Sequence, residues 1–192
     1  MNTPTSPRDL LPHPDRAALL VIDVQERLAP AMPVDRLPDV MRNTRILIET
    51  AREFSLPVLV SEQYPKGLGP TVAEVRELLP EGCIPTAKTA FSCCGEPTFA
   101  PLFDSIAGRD IILCGMETHV CVLQTALDLL EQGRRVYVAA DAVASRTALN
   151  WQTGLDLMRQ AGVIIGTTEV IAFGLLRAAG TEQFKRISRM VK

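Results

Sequence analysis

Short unbroken runs of apolar residues alternate along the chain with longer stretches in which apolar positions return every three or four residues. The runs are residues 17–22 (AALLVI), 57–61 (PVLVS), 111–114 (IILC), 135–140 (RVYVAA) and 163–165 (VII). Continuous apolar character rich in Val, Ile and Leu is what a strand buried on both faces requires, so each run predicts a core strand of a parallel sheet. Residues 83–86 (CIPT) predict a weaker sixth strand, because Pro85 has no N–H to give a ladder. Helical spacing appears over residues 39–54 (Val40, Ile46 or Leu47, Ala51), 71–79, 98–107, from Thr118 or His119 to the C-cap Gly133 (Val120, Leu123, Leu127, Leu130), 147–160 (Leu155, Met158), 169–176 and 182–191. Strands alternating with helices predict an α/β fold: one doubly wound domain with about six mostly parallel strands and helices on both faces, a Rossmann-like three-layer arrangement. Residues 1–15, with four prolines, read as a tail that drapes on the surface or is disordered, and residues 16–192 as the domain.

Composition narrows the partners. The chain has 192 residues, 47% of them hydrophobic, enough for one sizeable core and too few for two ordinary domains. A formal net charge of −2 with acids and bases interspersed offers no footprint for nucleic acid or a membrane surface, which leaves a small-molecule substrate. No apolar run reaches bilayer length, and the polar, proline-broken start lacks a signal pattern. With an odd count of five cysteines, these features point to a reducing, cytoplasmic location. The only histidines are His13 and His119, and Cys93-Cys94 matches no zinc spacing, so neither metal nor cofactor is expected.

Candidate chemistry gathers at strand ends. Asp23 closes the first run, Lys88 follows the weak strand, and Cys121 falls in the first turn of the helix that starts after Gly115 breaks the run 111–114. In a parallel sheet all three arrive at the same carboxyl edge, where ligands bind. A helix N-terminus favours a thiolate and can cradle an oxyanion, while a carboxylate and an ammonium supply base and cation without histidine. Each residue alone also has a quiet reading: a buried inert thiol, a turn-capping aspartate of which Asp141 is a second instance, and a solvated lysine.

Three stretches resemble the isochorismatase-like cysteine hydrolases, in particular the subgroup of YcaC-like and isochorismatase domain-containing proteins. LLVIDVQ (residues 19–25) is similar to that family's first-strand motif, TAKTAFS (86–92) to its lysine motif and GMETHVCVLQTA (115–126) to its nucleophile motif; VSEQYPKGLG (60–69) and AADAVASR (139–146) extend the resemblance through nearly all of residues 15–176. The resemblance implies Asp23 as proton shuttle, Lys88 as electrostatic support and Cys121 as nucleophile. It also implies a cis peptide between Met116 and Glu117 that aims the amides of Glu117 and Cys121 at a substrate oxygen. Gln25, Gln63, Tyr64 and Phe91 are candidate substrate-binding residues by position. Metal-dependent nicotinamidases of the superfamily carry Asp-x-His and a further His after the second strand, where this chain has Ser61-Glu62-Gln63-Tyr64-Pro65. True isochorismatases lack the cysteine.

The implied activity is hydrolysis of a small amide or related C–N bond through a Cys-Asp-Lys triad and a thioester. Two other readings stay open: a catalytically idle binding or scaffold protein of the same fold, and a thiol redox sensor using Cys93 or Cys94. The family usually forms homo-oligomers, and apolar Phe173, Leu176 and Phe184 could serve a partner as well as the core.

Overall fold

The computed structural model describes residues 6–192. Six strands form one sheet: β1 (Ala17–Ile22), β2 (Val58–Gln63), β3 (Thr86–Lys88), β4 (Asp110–Met116), β5 (Val136–Ala144) and β6 (Ile164–Gly166), in the order β3-β2-β1-β4-β5-β6. Every pairing is parallel. The chain moves outward from β1 through β2 to β3, then crosses back to lay β4 on the other side of β1. That reversal opens a crevice at the carboxyl ends of β1 and β4, the usual ligand position in such sheets.

Alternation along β1 builds the two faces of the core. Leu19 and Val21 pack with Val40, Leu47, Ile48 and Ala51 of α1 (Leu37–Glu53), with Val75 of the short α3 (Ala73–Arg76) that follows α2 (Pro65–Leu68), and with Ile171 and Leu175 of α7 (Thr168–Leu176). Leu20 and Ile22 point the other way, toward Phe103 of α4 (Ala100–Ser105), Ala126 and Leu129 of α5 (Leu123–Glu131), and Leu155 and Met158 of α6 (Ala148–Ala161). Each fully buried Leu or Ile of this kind contributes about 1.5–3 kcal/mol. The last helix, α8 (Glu182–Met190), closes a satellite cluster with Ile187 against Ala172 and Leu176. Among the described residues no helix is long and apolar enough to cross a membrane.

Several elements differ from the expectation. β3 starts after Pro85, where N–H groups become available, and pairs residues 86–88 with Ser61, Glu62 and Gln63. Gly115 does not break β4: the strand runs on to Met116, with Gly115 at φ +114 directly against Ile22 of β1. β5 likewise passes through Asp141, whose carboxylate faces the start of α7 and accepts from Thr168 N (2.7 Å) and Oγ1 (2.9 Å), so a residue expected to end a strand caps a helix from inside one. The helices expected at 71–79 and 98–107 shrink to α3 and α4. Cys121 sits not in the first turn of an α-helix but in a π turn, Thr118–Val122, ahead of α5.

Residues 6–15 are tied to the domain, with Pro12 buried. A turn at Pro7–Leu10, capped by Ser6, takes a hydrogen bond from Tyr137 Oη to Asp9 O (2.7 Å), and Arg177 Nη2 holds Pro12 O (2.9 Å). Residues 1–5 lie outside the described residues.

Candidate active site

β1 delivers Asp23 to the crevice. The residue adopts φ +53, a left-handed conformation that aspartate tolerates better than most side chains, and it turns the chain as the strand ends. Its carboxylate is fully buried and held from two sides: Ser61 Oγ within β2 donates to Oδ1 (2.6 Å), and Lys88 Nζ at the end of β3 donates to Oδ2 (2.8 Å). The ammonium spends its remaining protons on Gln63 Oε1 (2.6 Å) and Phe91 O (3.0 Å). Burial is the largest single influence and would lower the lysine pKa, but the charge and hydrogen bond of Asp23 together with the Cys121 and Cys93 sulfurs outweigh it and hold Lys88 above its ordinary value, so the ammonium stays charged.

Cys121 reaches the same point from the other side of the crevice, after β4. Its thiol interacts with both Asp23 and Lys88, and lies 4.0 Å from Gln63 Oε1. The expected thiolate-favouring environment is not what the structure shows. Burial first, and then the negative charge of Asp23, push the thiol up to about 12, and Lys88 only partly opposes them. Cys121 therefore rests as a neutral thiol with a carboxylate beside it. Only 5% of the residue is exposed, which restricts direct access to small molecules. The peptide between Met116 and Glu117 is cis. Glu117 is buried, its carboxylate accepting from Arg146 N and Nε, both at 3.1 Å, so the turn that carries Cys121 is tied to the end of β5.

A model of the isochorismatase domain matches residues 17–170, which contain all of these elements. The chain belongs to the isochorismatase family. Relatives include isochorismatase domain-containing protein 2A of Mus musculus, 37% identical over 180 residues that cover 93% of this chain and 84% of the relative. Isochorismatase domain-containing protein 2 of Danio rerio is 38% identical over 175 residues, 91% of this chain and 86% of the relative. Among solved structures, a MAR1 ribonuclease from Caenorhabditis elegans superposes with a TM-score of 0.86 at 39% identity, covering 93% of this chain and 91% of that one. YcaC of Escherichia coli, described as an octameric hydrolase of unknown specificity, shares the fold with a TM-score of 0.84 at 24% identity, covering 93% of this chain and 89% of that one.

Family membership does not give every candidate residue the same place. Gln63 joins the cluster, its amide nitrogen anchored on Thr89 O (2.8 Å) while its oxygen takes the Lys88 proton. Gln25 has different work from the pocket lining expected of it: the side chain is fully buried and spent on backbone, donating to Gly69 O (2.6 Å) and Gln63 O (3.0 Å) and accepting from Gln63 N (2.8 Å). It braces the loop after β2. Tyr64 and Phe91 stand about half exposed at the rim, Tyr64 in the left-handed region at φ +40. A cavity of about 290 Å³ opens beside β3, lined by Tyr64, Pro65, Lys66, Ala87, Lys88, Thr89 and Glu96.

One member of the buried cluster, Ser61, escaped the sequence reading, and another, Cys93, entered it only as a redox candidate. Ser61 and Cys93 both sit within the Asp23 network, and Cys93 is buried and raised to about 12, first by burial. Ser61 was discoverable, since it closes the apolar run 57–61 as Asp23 closes the run 17–22, although β2 itself continues to Gln63. That Cys93 and not Cys94 joins the cluster was not readable, because the two neighbours diverge: Cys93 turns toward Lys88 and Asp23, and Cys94 toward Asp128 and Arg134.

Proposed function

We propose that this protein hydrolyses a small amide or related C–N bond, with Cys121 as nucleophile, Asp23 as proton shuttle and Lys88 as the fixed cation. The observation that carries the reading is the neutral Cys121 thiol beside a buried carboxylate whose two oxygens are each held by a donor. A thiol held near 12 is not preionised, so its proton passes to Asp23 as Sγ attacks the carbonyl carbon. The carbonyl oxygen takes the negative charge, and the Glu117 and Cys121 amides are the proposed donors to it. Collapse of the tetrahedral species breaks the C–N bond, and Asp23 returns the proton to the leaving nitrogen. Asp23 then takes a proton from water, which cleaves the thioester and releases the acid, and the thiol recovers its proton. The ammonium of Lys88 keeps Asp23 aligned and offsets its charge as the thiolate develops.

The purified chain should release amine or ammonia from at least one member of a panel of small amides, hydroxamates and imides. Cys121→Ala and Asp23→Asn should each lower that turnover by about 10³-fold or more. Either variant at the wild-type rate overturns the assignment. Single-stranded RNA belongs in the panel because of the name carried by the Caenorhabditis elegans neighbour. The net charge of −2 weighs against a phosphate-tracking surface, and little RNA cleavage is expected.

We also propose self-association, with a narrower surface than the three residues first suggested. Leu176 and Phe184 pack into the α7 and α8 cluster, and Phe184 meets Phe173 edge-on at 6.2 Å. Val170 (47% exposed) and Phe173 (36%) are what α7 leaves to a partner. Light scattering at micromolar concentration should give a multiple of 21.0 kDa, and a mass of one chain refutes association.

A further inference from the structure

We propose that Ser61 is a positioning residue for this reaction, its buried hydroxyl fixing the Asp23 carboxylate in the orientation that faces Cys121. The inference rests on the reading of Asp23 as the proton shuttle. Ser61 interrupts an apolar strand, Val58-Leu59-Val60-Ser61, at a point where none of its surface meets water. Alanine would fill that space, so packing does not call for a hydroxyl, and burying one without partners is costly. Its partners explain it. Ser61 O accepts from Asp23 N (3.1 Å) in the ladder between β2 and β1, and Ser61 Oγ donates to Asp23 Oδ1 (2.6 Å), so one residue grips Asp23 by main chain and side chain together.

A hydroxyl has one proton to give. Ser61 gives it to Asp23; the Cys93 thiol lies against the same hydroxyl, and Cys93 is itself placed by the bond its N–H donates to Thr125 Oγ1 of α5 (3.0 Å). Cys93 thus links α5 to Ser61, which holds one oxygen of Asp23 while Lys88 occupies the other. Held on both oxygens, the carboxylate is prevented from rotating away from Cys121.

The titratable groups facing Asp23 are Lys88 from β3, Cys93 from the turn after it and Cys121 from the π turn. Lys88 and both thiols titrate at high pH, so an acid limb in Cys121 reactivity between about pH 4 and about pH 9 is not theirs. Iodoacetamide alkylation of Cys121, followed by peptide mass spectrometry on the full chain across that range, reads the limb without a known substrate. In Ser61→Ala the ionised carboxylate loses a donor, and the limb should move up by about one pH unit. Ser61→Thr, which keeps the hydroxyl, should restore it. A wild-type limb in Ser61→Ala overturns the proposal. So does a limb in Ser61→Thr displaced as far as in the alanine variant, since the hydroxyl is then not the cause. Asp23→Asn separates the two levels of the argument: its limb should vanish, and if it persists, Asp23 is not the base and the proposed function fails along with this inference. If it vanishes while Ser61→Ala stays wild type, only the role of Ser61 is lost.

Discussion

Lys88→Met is expected to cost about 3–5 kcal/mol of folding stability and nearly all activity. Both side chains of the Lys88–Asp23 pair are completely buried and only 2.8 Å apart, and removing one member leaves the other charge stranded in the interior. Against a typical total of about 5–15 kcal/mol, that loss is large. The pH dependence carries a sign. The folded-state pKa of Lys88 lies above its ordinary value of 10.5, so the wild-type contribution is fully present below that value and is lost as pH rises through the folded pKa. The methionine variant has no such alkaline loss. Urea denaturation at acidic, neutral and alkaline pH tests this, and a variant as stable as wild type at neutral pH would show that the pair is not buried as described. Alkylation of Cys121 should also slow, since Lys88 is the neighbour that lowers the thiol's pKa.

Gly115→Ala should fail to fold. A Cβ at this position would fall on the Ile22 carbonyl oxygen, backbone that cannot move without tearing β1 from β4, and φ is +114, where a side chain is strained in any space. The expected cost exceeds about 4 kcal/mol, in the class that comes from core overpacking and special backbone geometry together. Gly108→Ala is the control: φ there is +75 but nothing lies within 4 Å of the added Cβ, so only the conformational term, about 1 kcal/mol, remains. Soluble yield and circular dichroism of the two variants should differ sharply. Equal behaviour would mean that the close approach of the two central strands is unimportant.

Both experiments probe one piece of architecture, the β1–β4 seam and the ion pair at its carboxyl end. The seam was readable in advance. AALLVI and IILC are apolar on every residue because a central parallel strand meets a core on each face, a demand imposed on the sequence locally. Strand and helix alternation then fixed the fold class, and the rule that parallel strands end at one edge brought Asp23, Lys88 and Cys121 together. Other features could not be read, for a common reason. Pairing across the sheet, not local pattern, carries β5 through Asp141 and β4 through Gly115, so polar and flexible residues that look like stops are passed over. Likewise, Ser61 meets Asp23 across 38 residues and Lys88 meets it across 65, and a neighbour that distant leaves no periodic trace. Gln25 looked like a pocket residue because it follows a strand, yet its amide is spent on the backbone of residues 63 and 69.

The thiol marks the boundary most clearly. Sequence alone placed Cys121 beside a carboxylate and an ammonium and suggested a thiolate, because helix position and lysine are visible in a string of letters. Burial is not. Desolvation is set by everything packed around the sulfur, and here it outweighs the lysine and holds the thiol near 12. The residue types at the site were thus determined by the sequence, while the protonation state in which they wait was decided only by tertiary packing.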